Sequence, residues 1–420
     1  MSKLEELIQQ YCPDGVEWKA LYSITKQFSG MTGVSNKWAE EGNCVFIDYN
    51  NVYNHTSVDT TALKNATVKS LKQNTLRKGD VLFTSASETP DECALSSVIE
   101  KDLPDGVFFD DHLFGLRLLD EYSSVISPSY LKYAFRSEQF RFQIKKVVRG
   151  ATRHYVSKVD FMKLEIPVPP LPVQEEIVRI LDAFTELQAE LQAELQKRKQ
   201  QYNYYLDNLL NFKNINRGGY QAEVRWMKMS EVFEIRNGYT PSKAKKEFWE
   251  GGTIPWFRME DIRQNGRILS DSILHITPKG VKGKGLFKAN SFILATTATI
   301  GEHALIIADS LANQRFTNLS IRKSLENELS VKYVYYYFFV IDEWCKANTN
   351  VSNFASVDMS KFHNLLIPIP SIAEQQKIVS ILDRFDTLTN DLTSGLPAEM
   401  EKRRQQYEYY RDRLLTFKRL

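Results

Sequence analysis

The side chains best equipped for chemistry in this chain are cations and amides, gathered in short stretches between apolar runs. "FRSEQFRFQIKKVVRGATRHYVS" (135–157) carries Arg136, Arg141, Lys145, Lys146, Arg149 and Arg153 against a single acid, Glu138. Lysine and arginine neutralise phosphates, and the counterions they release drive binding to nucleic acid. Within it, "RGATRHY" places Arg149, Arg153 and His154 on a glycine-containing loop. The matching stretch later in the chain, "NTNVSNFAS" (348–356), is polar, with Asn353 as its candidate. Asparagine can read an adenine edge through two hydrogen bonds. "DYNNVYNHT" offers Asn50, Asn51, Asn54 and His55, and "FRMEDIRQNG" offers Arg258, Asp261, Arg263 and Gln264. "PKGVKGKGLFK" adds Lys282 and Lys284, and "NQRF" adds Asn313, Gln314 and Arg315. These residue types discriminate base edges. The plain alternatives are a solvated helix face for the basic stretch and simple turns for the loops.

Catalytic patterns are missing. No GxxxxGK[ST] occurs, and "GVKGKGLF" has Leu286 where a phosphate loop needs lysine. HExxH and GxSxG are absent, as is the Asn/Asp-Pro-Pro-aromatic tetrad of amine methyltransferases. His55, His112, His154, His275, His303 and His363 show no metal-ligand spacing. The acid–histidine neighbours in "FDDHLF" and "GEH" read as surface or loop chemistry. Cys12, Cys44, Cys93 and Cys345 form no CxxC pair, which suits a reducing cytoplasm. No secretory signal is expected, and "VYYYFFVI" (334–341) is far short of the roughly 20 residues of a membrane span. The net charge of +2 decides nothing about partners by itself.

The elements that must hold these side chains come in two copies. "LEIPVPPLPVQEEIVRILDAF" returns as "LLIPIPSIAEQQKIVSILDRF" 201 residues later, and "KRKQQYNYYLDNLLNF" as "KRRQQYEYYRDRLLTF" after 205. Fainter echoes lie upstream: "VEWKAL" and "VRWMKM", "DVLFTSASE" and "SFILATTAT". Each half is therefore a diverged globular segment followed by a preserved helical one. From Glu175 onward a seam steps by four and three through Ile177, Leu181, Phe184, Gln188, Leu191, Leu195, Arg198, Tyr202, Tyr205, Leu209 and Phe212, apolar but for Gln188 and Arg198. That is a coiled-coil stripe, uninterrupted by proline or glycine over 174–213. About 38 residues make a helix of roughly 57 Å. The second copy begins alike with Gln375, Ile378, Leu382 and Phe385, breaks at "TSGLP" (393–397), where Pro397 is expected as the first residue of a new helix, and resumes with Tyr407, Tyr410 and Leu414. The two helical segments are expected to pack antiparallel on each other; self-pairing in a homodimer is the alternative. "NCVFIDYNNV", "DVLFTSAS", "LFGLRLL", "TIPWFRMEDI", "NSFILATTA" and "FTNLSI" read as strands. "PSYLKYAFRSEQFRFQIKKVV" and "VKYVYYYFFVIDEW" read as helices. The fold class is α+β: two globular domains (1–166 and 214–367) separated by long helical segments (167–213 and 368–420), with a pseudo-twofold internal repeat.

The duplicated "IPVPPLPVQEEIVRILD"/"IPIPSIAEQQKIVSILD" and "QQYNYYLDNLL"/"QQYEYYRDRLL" resemble the conserved regions of specificity subunits of type I restriction–modification enzymes. The resemblance covers the whole chain in the order variable, conserved, variable, conserved. It implies that each variable segment is a target-recognition domain reading half of a split, asymmetric double-stranded DNA site. The preserved helices would form the spacer and dock two methyltransferase subunits, through Gln174–Leu187, Gln200–Leu210, Gln375–Leu388 and Gln405–Leu415. Those partners would methylate adenine with S-adenosylmethionine, and motor–nuclease subunits would cleave with ATP and Mg2+. This chain would bind none of these cofactors and carry no catalysis. "ELQAELQAELQ" (186–196) is similar to the family branch with tandem four-residue spacer repeats, in which repeat number is linked to the unread gap between half-sites. Three readings compete: a two-headed scaffold that binds no DNA, a complete enzyme with an unrecognised nuclease constellation, and the specificity chain of a system whose methylase and nuclease share one subunit.

Overall fold

The computed structural model describes residues 2–212, 224–350, 355–391 and 393–420. Asn353 lies outside the described residues. The chain divides into two compact units, one of Met1–Gln192 with Glu399–Leu420, the other of Ala193–Ala398. Among the described residues no helix is long and apolar enough to cross a membrane.

In the first unit the central antiparallel sheet runs in the order Thr25–Ser29, Leu113–Leu118, Val81–Thr84, Ser96–Val98. Every residue of Val81–Thr84 is buried because both faces of the strand are covered. Val81 and Phe83 join Phe114 and Leu116 in one core, while Leu82 joins Ile47, Phe109 and Leu113 in another. A strand covered on both faces needs an unbroken apolar run rather than alternation. The second unit has the same arrangement. Phe292 and Leu294 enter one core and Ile293 and Ala295 the other, from the middle of a five-stranded sheet.

Three expectations need correction. "DYNNV" and "RMEDI" do not continue their strands. The strand Cys44–Ile47 gives way to the helix Tyr49–Asn54, and Ile254–Phe257 to Met259–Asn265. Asp48 accepts from the Asn51 amide at 3.0 Å and Asp261 from the Arg258 amide at 2.6 Å, so carboxylate caps override strand propensity. The long helix expected over 128–148 is two, Pro128–Ala134 and Glu138–Val147, because Ser137 caps the second by accepting from the Phe140 amide. At "TSGLP", Pro397 is the second residue of the new helix Leu396–Leu414, not its first. Asp391 accepts from Thr393 and Ser394 there, and a Cβ on Gly395 would fall 2.4 Å from the Thr387 carbonyl.

The preserved segment forms one continuous helix, Leu171–Leu210, through the LQAE repeat. Its stripe is the covered face, with Ile177, Leu181, Leu195 and Tyr202 buried. Within the first unit its partner is the C-terminal helix. Phe184 stacks on Tyr410 at 5.4 Å, while Glu165, just before the long helix, pairs with Arg419 at 2.8 Å. The two therefore run antiparallel. In the second unit Tyr205 stacks on Phe385 at 5.0 Å. Phe212 meets Tyr333, whose hydroxyl donates to Pro368 ahead of the helix Ile372–Asn390, so that pair is antiparallel too. These partners are intramolecular, which removes the need for a homodimer.

Candidate nucleic-acid interface and its mounting

Each globular segment is fastened to its helix in the same way. In the first unit Gln174 accepts from the Ser127 amide at 2.9 Å and donates to the Val125 and Pro169 carbonyls at 2.8 and 2.6 Å. In the second, Gln375 accepts from the Ser330 amide and donates to Glu328 and Pro370, all at 2.8 Å. Tyr130 donates to the Pro167 carbonyl and Tyr133 to Asp182. Tyr333 and Tyr336 do the same to Pro368 and Asp383. The docking role expected of Gln174, Ile177, Leu181, Gln375, Ile378 and Leu382 is therefore corrected. All six are fully buried in their own unit. Among the charged and polar residues exposed on the preserved helices stand four aromatic ones: Tyr204 and Tyr205 in one copy, Tyr409 and Tyr410 in the other. Leu191, Leu209, Tyr407 and Leu414 are half-buried.

The first unit carries a cleft of about 670 Å³. Lys37, Trp38, Tyr49, Tyr53, Glu88, Glu92, Asp110, His112 and Arg153 line it. Most of its polar groups are already engaged. The Lys37 ammonium meets Asp110 and Asp111 at 2.9 Å each and His112 Nδ1 at 3.4 Å. Burial pulls the Lys37 pKa down, but the two carboxylates outweigh it and the net shift is upward. Tyr49 donates to the Ala86 carbonyl, and Tyr53 to Glu92. Trp38 is 53% exposed at the rim and held at φ 70°, a conformation uncommon outside glycine.

The sequence candidates fare unequally. Asn51 is buried and spent on the backbone of Asp59, and Asp261 is buried between the amides of Arg258 and Ile273; neither is available to DNA. Asn50, Asn54 and His55 are exposed on and after the helix Tyr49–Asn54. Lys145 pairs with Asp91 and Arg149 with Asp160, both on the surface. His154 lies in the strand His154–Val156, beside Ala86–Ser87. In the second unit Arg263 and Gln264 are exposed on their helix, with Arg258 partly covered before it. Tyr239 gathers the others. Its amide donates to Ala312, its hydroxyl donates to Gly280, and the same hydroxyl accepts from the Lys282 amide. The Lys282–Lys284 loop and the Asn313–Arg315 turn thus share one end of the sheet. Gln314 there accepts from Thr240 at 2.5 Å, and Asn313 from the Arg315 amide.

Sequence reasoning missed the cleft wall of Lys37, Trp38 and Glu88, since nothing in the local pattern marks the ends of the separate strands Val34–Lys37 and Ala86–Ser87 as neighbours. It also misplaced the "GEH" histidine. His303 is on the strand His303–Ile306 and wholly buried, 2.6 Å from Asp342 and 3.3 Å from Arg267.

The model for the type I restriction modification DNA specificity domain matches twice, over residues 13–200 and 221–402. The chain belongs to this family. It is 54% identical over 204 residues to the EcoprrI specificity subunit of Escherichia coli, covering 47% of this chain and 51% of that one. It is 42% identical over 280 residues to the EcoR124I/EcoR124II specificity subunit of the same organism, covering 63% and 66%. The chain thus spans about half the length of the first relative and about two thirds of the second. Among solved structures it is similar to a chain from "Structural basis underlying complex assembly and conformational transition of the type I R-M system", with TM-score 0.66 and 18% identity over 96% of this chain and 98% of that one. It is also similar to the HsdS subunit from Thermoanaerobacter tengcongensis, with TM-score 0.52 and 18% identity over 96% of each. At such identities the likeness is one of fold.

Proposed function

We propose that this chain is the non-catalytic DNA-reading subunit of a type I restriction–modification enzyme. Each globular segment reads one half of an asymmetric split site. The observation that carries this reading is the contrast within the chain: an identical glutamine–tyrosine mounting in both units, with different side chains on the surfaces so mounted. A duplicated mounting suits two copies of one partner, and the repeated exposed tyrosines Tyr204, Tyr205, Tyr409 and Tyr410 are a suitable seat for two methyltransferase subunits. S-adenosylmethionine, ATP and Mg2+ are used by the partners in this scheme, including the motor–nuclease subunits, and not by this chain. Co-expression with the methyltransferase subunit in a host without adenine methylation, followed by mapping of methylated adenines, tests it. The expected result is a split motif with one methylated adenine in each half and a constant gap. A stable complex that methylates nothing would favour the scaffold reading.

The LQAE repeat lies in this proposal within a spacer that sets the gap. Four residues lengthen a helix by about 6 Å and turn it by a net of roughly 40°, and one base pair turns DNA by about 34–36°. Deleting Gln188–Leu191 is expected to shorten the gap and leave the letters of both half-sites unchanged. Changed letters would contradict the ruler.

A further inference from the structure

The hairpin bearing Arg149 and Arg153 is built to project. Val148–Arg149 pairs with Tyr155–Val156, and Gly150 turns between them at φ 101°, where a Cβ would lie 2.1 Å from the Arg153 carbonyl. The far side of the hairpin pairs antiparallel with Ala86–Ser87, matching His154 to Ser87 and Tyr155 to Ala86. One step further along the same register sets Arg153 opposite Glu88. Directly opposed residues on antiparallel strands share a face, with Cβ atoms about 5 Å apart. Both line the cleft. Neither makes an ion pair or side-chain hydrogen bond among the described residues, whereas Lys37, Tyr49, Tyr53 and Glu92 around them are engaged.

An uncommitted carboxylate is out of place on a surface that meets only phosphates, because it repels them. It belongs where it can accept from a donor. Arginine offers donors alone and glutamate acceptors alone. In the major groove guanine shows two acceptors, O6 and N7, and its paired cytosine shows the N4 amino donor beside them. The groove admits two adjacent β-strands, and Arg153 and Glu88 stand at the ends of the adjacent strands His154–Val156 and Ala86–Ser87 of a small three-stranded sheet. We infer that Arg153 and Glu88 together read one G·C base pair in the half-site of the first unit, Arg153 donating to guanine O6 and N7 and Glu88 accepting from cytosine N4. This rests on the DNA-reading function proposed above and adds the base pair and the residues that specify it.

The test uses the whole complex with its methyltransferase and maps methylated adenines for the wild type, Arg153→Ala, Arg153→Lys and Glu88→Ala. A fixed G·C pair should appear in one half-site. All three variants should relax that pair and no other, with discrimination against other bases falling roughly ten- to a hundredfold. Lysine keeps the charge but loses the two-pronged geometry, so unchanged specificity in Arg153→Lys would make residue 153 a phosphate contact and overturn the inference. So would Arg153→Ala and Glu88→Ala relaxing different positions, or relaxing none while the wild-type motif is well defined. A wild-type complex that methylates no split motif would instead defeat the DNA-reading function itself, and the base-pair assignment with it.

Discussion

The two units solve one problem identically and another differently. Gln174 and Gln375 make the same three hydrogen bonds to equivalent backbone groups, and Phe184–Tyr410 repeats as Tyr205–Phe385 with the two copies' roles exchanged. The faces carried on these mountings do not repeat. The first unit has an aromatic-rimmed cleft with Lys37 clamped by two aspartates. The second sets His303, Asp342 and Arg267 together beneath its sheet. What was kept is what the chain does to itself, and what diverged is the surface turned outward and its local support. Even inside the mounting the difference can be dissected. Asp182 and Asp383 each receive a tyrosine and a lysine, but the lysine comes from a different position in each copy: Lys132 directly precedes Tyr133, while Lys332 lies four residues before Tyr336.

The largest effect should come from the feature without a counterpart. Asp342→Ala leaves the buried His303 and the partly buried Arg267 facing each other with no anion between them. Removing one partner from such a pair costs about 3–5 kcal/mol. Denaturant unfolding should show this loss confined to the second unit, and an equal loss in both units would mean that the two do not unfold separately. Next come the shared staples. Gln174→Ala and Gln375→Ala should each cost about 2–4 kcal/mol, because three backbone groups lose partners at a covered site. Equal costs would confirm the mounting as truly duplicated, and a difference above about 1 kcal/mol would break the comparison. Tyr133→Phe and Tyr336→Phe should follow at about 1 kcal/mol each, since Asp182 and Asp383 are well exposed to solvent and the gain of pairing with them is correspondingly screened.

This hierarchy tracks what could be read from the sequence. The helices and their stripe were legible because they rest on local periodicity, with Ile177, Leu181, Leu195 and Tyr202 on the covered face as their spacing requires, and the duplication because whole segments recur 201 and 205 residues apart. The buried strands were legible as apolar runs. The helices after Asp48 and Arg258 were not, because a single side-chain cap outweighed the extended look of "FIDYNN" and "WFRMED". The same caps withdrew Asn51 and Asp261 from the DNA candidates, since residue type cannot tell a polar group offered to a ligand from one spent on the backbone. Glu88 was overlooked for the converse reason. Its meaning depends on lying across from Arg153, and that register is a property of the sheet rather than of either segment.

The smallest effect expected is a difference in how the units respond to acid. Burial pushes the His303 pKa down, Asp342 opposes that shift, and Arg267 reinforces it. The folded second unit therefore keeps His303 neutral where the unfolded chain, titrating near 6.5, takes up a proton. The unfolded state binds more protons below that pH, so stability is intact above about 6.5 and declines as pH falls toward the lowered folded value, by at most about 1.4 kcal/mol per pH unit. In the first unit, hydrogen bonds from Arg179 and Lys3 hold the Glu176 carboxyl down at about 2, and the equivalent position in the second unit is Lys377. Its contribution is intact above the ordinary value of 4.5 and is lost only as pH falls from there toward 2. Unfolding followed from pH 7 to 3 should thus weaken the second unit first and the first unit later. His303→Gln, which has no proton to gain, should flatten the decline between about pH 6.5 and 5 without moving the first unit's. If that decline survives the substitution, the pH response belongs to other groups and His303 is a packing residue alone.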